Sequence, residues 1–119
     1  MQFPNHQTVL LRVFTSECDH FQGHPFFEII VEEAKTYGLA GATVLRGIMG
    51  FMAGSTIHTT KLFDLSDDLP VIVELVDEAD KISAFMAQLQ PKLNAMHFGG
   101  LITQEDVKVL YCKSTRNGK

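Results

Sequence analysis

Between Gly38 and Phe51 the chain changes conformation three times within fourteen residues. Gly38 is a helix stop, because glycine takes the left-handed conformation that closes a helix without a Cβ penalty. Leu39-Ala40-Gly41 reads as a turn. Ala42 to Met49 is an apolar run of strand length, and Gly50-Phe51 leads into the small-residue loop Met52–Ser55. Upstream, Phe27, Ile30, Val31, Ala34 and Tyr37 recur at helical spacing and give one apolar face. Pro25 suits the first helical position, where a missing N–H costs nothing. Glu28, Glu32, Glu33 and Lys35 fall on the wet face.

The flanking segments narrow the choice. Thr8–Phe14 alternates as a strand, with Val9, Leu11 and Val13 on one side and Leu10, Arg12 and Phe14 on the other. Ile57–Phe63 can return as an extended arm, and Asp64–Leu69 reads as a loop. Pro70 opens a strand, Val71–Val76, at a position where proline is tolerated. Asp77 is placed as an N-cap with Asp80 three residues on. Ile82, Phe85, Met86 and Leu89 form the stripe of a second helix that Pro91 should kink or end. Gly99-Gly100 breaks the chain before Leu101–Thr103, and Val107–Cys112 is the expected last strand. The polar stretch Ser114–Lys119 is expected to fray.

The order is β-α-β-β-α-β, which predicts a ferredoxin-like α+β sandwich in a single domain over residues 1–119. Both helices then cover one face of an antiparallel sheet. The strands are apolar on both faces, Leu10 and Phe14 opposing Val9, Leu11 and Val13 on the first, so a monomer would leave one set of large side chains in water. Burial between copies is the expected remedy, and a homotrimer suits this fold.

Composition excludes several roles. The formal net charge is -4, which argues against nucleic acid as a partner. No run of about 18 apolar residues is present, so no membrane insertion is expected. Met1–His6 has neither a basic nor an apolar leader segment. Cys18 and Cys112 form no CxxC pair and are expected to be thiols in a reducing cytoplasm. The chain carries no nucleophile elbow, no GxxxxGK[ST] loop and no HExxH, so a non-enzymatic role is expected.

Five features could carry chemistry. Cys18, His20 and His24 offer soft and imidazole ligands for zinc or copper, or simply form a polar surface loop. Arg46, inside an apolar strand, either points into a cleft for an anion or makes a salt bridge at a subunit junction. His58 could meet an anion as imidazolium or hydrogen-bond a neighbouring loop. Gly99-Gly100 could admit a phosphate to backbone N–H groups or serve only as a turn. Asp67-Asp68 could hold a cation, although a solvated loop is the simpler reading.

Three segments together carry a resemblance. They are Gly38-Leu-Ala-Gly-Ala-Thr-Val-Leu-Arg-Gly-Ile-Met-Gly-Phe51 with Ile57-His58-Thr59, Asp68-Leu-Pro-Val-Ile-Val-Glu-Leu-Val-Asp77, and Gly100-Leu-Ile-Thr-Gln-Glu-Asp-Val-Lys-Val109. From about Val9 to Tyr111 the chain resembles an uncharacterised bacterial and archaeal family of small PII-like proteins, often encoded beside fluoride-exporting membrane proteins. The resemblance implies a trimeric regulatory protein with clefts between subunits that bind a small anionic effector, such as an adenine nucleotide. It also implies that the loop after the second strand contacts a membrane transporter or an enzyme. Gly50 and Phe51 match the base of that loop, and Gly100 falls near the glycine-rich phosphate turn. The resemblance thus gathers Arg46, Gly50, Phe51, His58, Gly99 and Gly100 into one ligand site. The chain departs from the PII pattern where Leu101 replaces a lysine, where Met52 follows Phe51, and where no paired arginines follow Val107. A metal-binding trimer using Cys18, His20 and His24, or a ligand-free assembly protein, are the alternatives.

Overall fold

The computed structural model describes residues 7–51 and 69–113, together with the backbone of 58 and 59. Four strands form one sheet: β1 (Thr8–Ser16), β2 (Gly41–Arg46), β3 (Pro70–Glu78) and β4 (Leu101–Val107). Their spatial order is β2-β3-β1-β4, and every neighbouring pair is antiparallel. Helix α1 (Phe26–Tyr37) links β1 to β2, and α2 (Ala79–Ala95) links β3 to β4. This is the expected ferredoxin-like α+β sandwich. Among the described residues two short ladders are also present, His20–Phe21 with His24–Pro25 and Met49–Gly50 with His58–Thr59.

Strand alternation decides which face is covered. Val9, Leu11 and Val13 of β1 and Val71, Val73 and Leu75 of β3 are buried. They pack with Phe26, Ile30 and Ala34 of α1 and Ile82, Phe85, Leu89 and Leu93 of α2. Each Val, Leu, Ile or Phe among them contributes roughly 1.5–3 kcal/mol by leaving water. The opposite face carries Leu10, Arg12, Phe14, Ile72, Glu74 and Val76, all half-buried, and neither helix covers it. Leu45 and Leu101, opposite Ile72 and Phe14, extend its apolar part. Across its middle runs a charge ladder. Arg12 Nε donates to Glu74 at 2.9 Å, and Arg12 also pairs with Glu105. Glu74, and then Glu105, raise the pKa of the guanidinium.

Several boundaries differ from the sequence reading, each for a physical reason. Pro25 is the N-cap of α1, so Phe26 enters the core, whereas Phe27 is only half-buried. Gly38 closes α1 as expected, at φ 89°. The second strand stops at Arg46, where Gly47 N–H donates to the Pro70 carbonyl at 2.7 Å, and Met49–Gly50 turns away to pair with His58–Thr59. Helix α2 runs through Pro91 to Ala95, because Leu93 continues the buried stripe beyond the proline. The last strand is Leu101–Val107, paired along β1 from Phe14 to Thr8, and residues 108–112 lie outside regular structure. Asp77 is not a helix cap. It is buried within β3, and Glu78 is the N-cap residue of α2. The expected Met52–Ser55 turn and the Asp67-Asp68 pair lie outside the described residues.

Candidate functional site

The sequence candidates collect at one end of the sheet, where β1 finishes and β3 begins. Pro70 lies opposite Ser16, and Arg46 lies opposite Val71. The Pro70 ring forms the floor. A Cβ built on Gly47 would come within 2.8 Å of Pro70 Cγ, and one on Gly50 within 3.1 Å. Glycine at both positions lets the chain fold closely over the ring. Gly50 pairs with His58, which brings the two sides of the loop base together through the backbone. Phe51, Met49 and Ile48 are 65%, 57% and 74% exposed, giving this base an apolar rim.

Arg46 is 64% exposed, and its guanidinium meets Glu17 Oε2 at 2.5 Å. Glu17 is held in turn by its own N–H, which donates to the Leu69 carbonyl at 3.0 Å. Glu17 is 20% exposed, but the guanidinium stands in solvent, which screens the pair and holds it to roughly 1 kcal/mol. A stronger anion can therefore take the guanidinium from Glu17. The sequence missed Glu17, because nothing in its local context marks a residue just past a strand end as the partner of a strand 29 positions away.

Gly99-Gly100 sits at the same end of the sheet but on the opposite edge. Leu101 pairs with Phe14 on β4, whereas Arg46 ends β2, so β1 and β3 lie between them. Three strand spacings amount to about 14 Å. Arg46 and Gly100 therefore cannot grip one phosphate within a single copy. Gly100 is also tightly packed: its Cβ position lies 2.2 Å from the Phe14 carbonyl oxygen. Gly99 has open space around its own.

The Cys18–His24 segment forms a small hairpin. His20 Nδ1 is 2.8 Å from the Cys18 carbonyl, and Asp19 turns inward toward Thr15 and the Ser16 N–H. Among the described residues no three His, Cys, Asp or Glu side chains cluster so as to hold a metal ion. No disulfide joins Cys18 to Cys112. No helix among the described residues is long and apolar enough to cross a membrane.

The chain and its fold resemble those of known proteins. A UPF0166 protein of Aquifex aeolicus (strain VF5) is 48% identical over 102 residues, covering 86% of this chain and 92% of the relative. The structure of CPII bound to ADP and bicarbonate, from Thiomonas intermedia K12, superposes with a TM-score of 0.63 at 14% identity, covering 91% of this chain and 93% of that one. A putative PII-like signaling protein from Thermus thermophilus gives a TM-score of 0.59 at 14% identity, with 86% and 88% covered. These two likenesses establish a PII-like fold. The model of the family DUF190, described as Uncharacterized ACR, COG1993, matches residues 8–109. The chain thus belongs to the DUF190 family and carries its fold in the PII-like form.

Proposed function

We propose that this chain is a cytoplasmic, non-catalytic PII-like regulator. It assembles as a homotrimer and binds a small anionic effector, an adenine nucleotide, in clefts between copies. Arg46, the backbone at Gly50 and Gly99-Gly100, and His58 are the proposed contacts. Effector binding favours one state of the segment after Phe51, which then engages a transporter or enzyme. A ligand shifts such an equilibrium only by its difference in affinity for the two states. One observation carries this reading. The two candidate anion-binding elements end the sheet on opposite edges, too far apart to meet one phosphate within a copy, and a junction between copies would bring them together. The ADP-bound CPII of similar fold supports the ligand class.

Light scattering should give close to three times the 13.3 kDa chain mass. Phe14→Glu should weaken assembly, since Phe14 lies on the uncovered face and an unpaired carboxylate would have to leave water. A micromolar monomer would remove the basis of the reading.

Calorimetry with ADP tests the site. Arg46→Ala should weaken binding about ten- to a hundredfold by removing a charge-assisted hydrogen bond of roughly 1.5–3 kcal/mol. Glu17→Gln should tighten it a few-fold by freeing the guanidinium. Unchanged affinity in both variants, with the trimer intact, would place the ligand elsewhere.

A further inference from the structure

The net charge of -4 conceals a division within the chain. Residues 108–119 contain Lys108, Lys113, Arg116 and Lys119 and no acidic residue. Residues 1–107 then hold six Lys and Arg against fourteen Asp and Glu, a net charge of -8. The basic stretch leaves the sheet where β4 ends at Val107, opposite Thr8. It carries two large apolar side chains, Leu110 at 86% and Tyr111 at 81% exposure. Val109 and Cys112 are half-buried, but among the described residues Leu110 and Tyr111 find no apolar cover on their own copy, and Lys108 and Lys113 beside them are exposed as well.

The uncovered sheet face has the complementary character. Its charge ladder sets one guanidinium, Arg12, against two carboxylates, Glu74 and Glu105, which leaves one net negative charge. Around the ladder lie Phe14, Ile72, Leu45 and Leu101. Glu105 remains about half exposed, so it can accept a further cation.

We infer that the 108–113 segment of one copy docks on the uncovered sheet face of a second copy. Leu110 and Tyr111 pack against the apolar residues, and Lys108 and Lys113 answer the excess carboxylate charge. The inference rests on the trimer reading and deepens it: the interface is then an exchanged arm as well as a meeting of sheet faces. Opposite charges on arm and face favour the pairing between copies and disfavour arm against arm.

The test uses sedimentation over a range of concentrations at low and high salt. Leu110→Ser with Tyr111→Ser should raise the dissociation concentration by about a hundredfold, roughly tenfold for each side chain no longer buried. Lys108→Glu with Lys113→Glu should weaken association at low salt, with a smaller effect at high salt. A benzophenone amino acid at position 111, in a mixture of light and heavy isotope-labelled protein, should crosslink between copies onto β1 or β3. A wild-type trimer with both double variants equally tight would overturn the arm and leave the trimer standing. A wild-type monomer would overturn both. Crosslinks confined within one copy would also overturn the arm, even if a variant failed to fold.

Discussion

Gly100→Ala is expected to lose about 3 kcal/mol of stability, because overpacking of a site that cannot relax reaches the upper end of the usual 1–3 kcal/mol. The added methyl would stand 2.1 Å from Phe98 Cζ and 2.2 Å from the Phe14 carbonyl oxygen. A ring can turn, and Phe98 is only half-buried against Phe26, at 5.5 Å between centroids. The carbonyl belongs to β1, which is hydrogen-bonded on both sides by β3 and β4, so it has nowhere to go. The melting temperature should fall by about 10 °C or more for a domain of this size. Gly99→Ala is the matched control. Nothing lies within 4 Å of its Cβ position, and its φ is not positive. It should melt at or slightly above wild type, since alanine restricts the unfolded chain. Adding Phe98→Ala to Gly100→Ala should restore little, because the carbonyl clash remains. Full rescue by that second change would mean the ring, and not the strand, sets the requirement for glycine.

The same pair shows how far the sequence could be read. A double glycine announces a break, but whether it serves a phosphate or a close approach depends on what stands opposite, here a strand some 85 residues away. Strand alternation was legible wherever one face is buried, as at Val9, Leu11 and Val13 or at Val71, Val73 and Leu75. It failed for β4. This is an edge strand with one neighbour, and its central Gln104, Glu105 and Asp106 are exposed, so it lacks the apolar alternation of a covered strand. The apolar run after it, Val109–Tyr111, imitates a strand in sequence and yet pairs with nothing among the described residues. Arg12 was legible as a charge within a strand, but its ladder with Glu74 was not, because the register that unites them is set by packing on the other face. At the site, the salt-bridge reading of Arg46 was available from sequence and its partner was not.

Asp77→Ala should cost about 3 kcal/mol, far more than the loss of a helix cap, which costs typically about 1 kcal/mol. The carboxylate is 1% exposed. Its Oδ2 accepts the Ala40 N–H at 2.9 Å, and its Oδ1 accepts the Glu78 N–H at 2.7 Å. Lys81 stands 3.7 Å from Oδ2 and donates to the Gly38 carbonyl at 2.7 Å. Together Asp77 and Lys81 fasten the turn after α1 to the junction of β3 and α2. Hydrogen bonds to a charged group are worth roughly 1.5–3 kcal/mol each, and alanine leaves two N–H groups without their acceptor. Asp77→Asn retains one oxygen but turns an NH2 group toward the other N–H. It should lose about half as much, whereas at a simple N-cap asparagine is as good as aspartate. The turn held by Asp77 launches β2, so it also sets the position of Arg46 five residues beyond Gly41. Denaturant unfolding of the two variants separates the possibilities. An Asn variant as stable as wild type would return Asp77 to the role of a helix cap. A graded loss, Ala greater than Asn, would identify it as the group that registers α1 and β2 on the rest of the sheet.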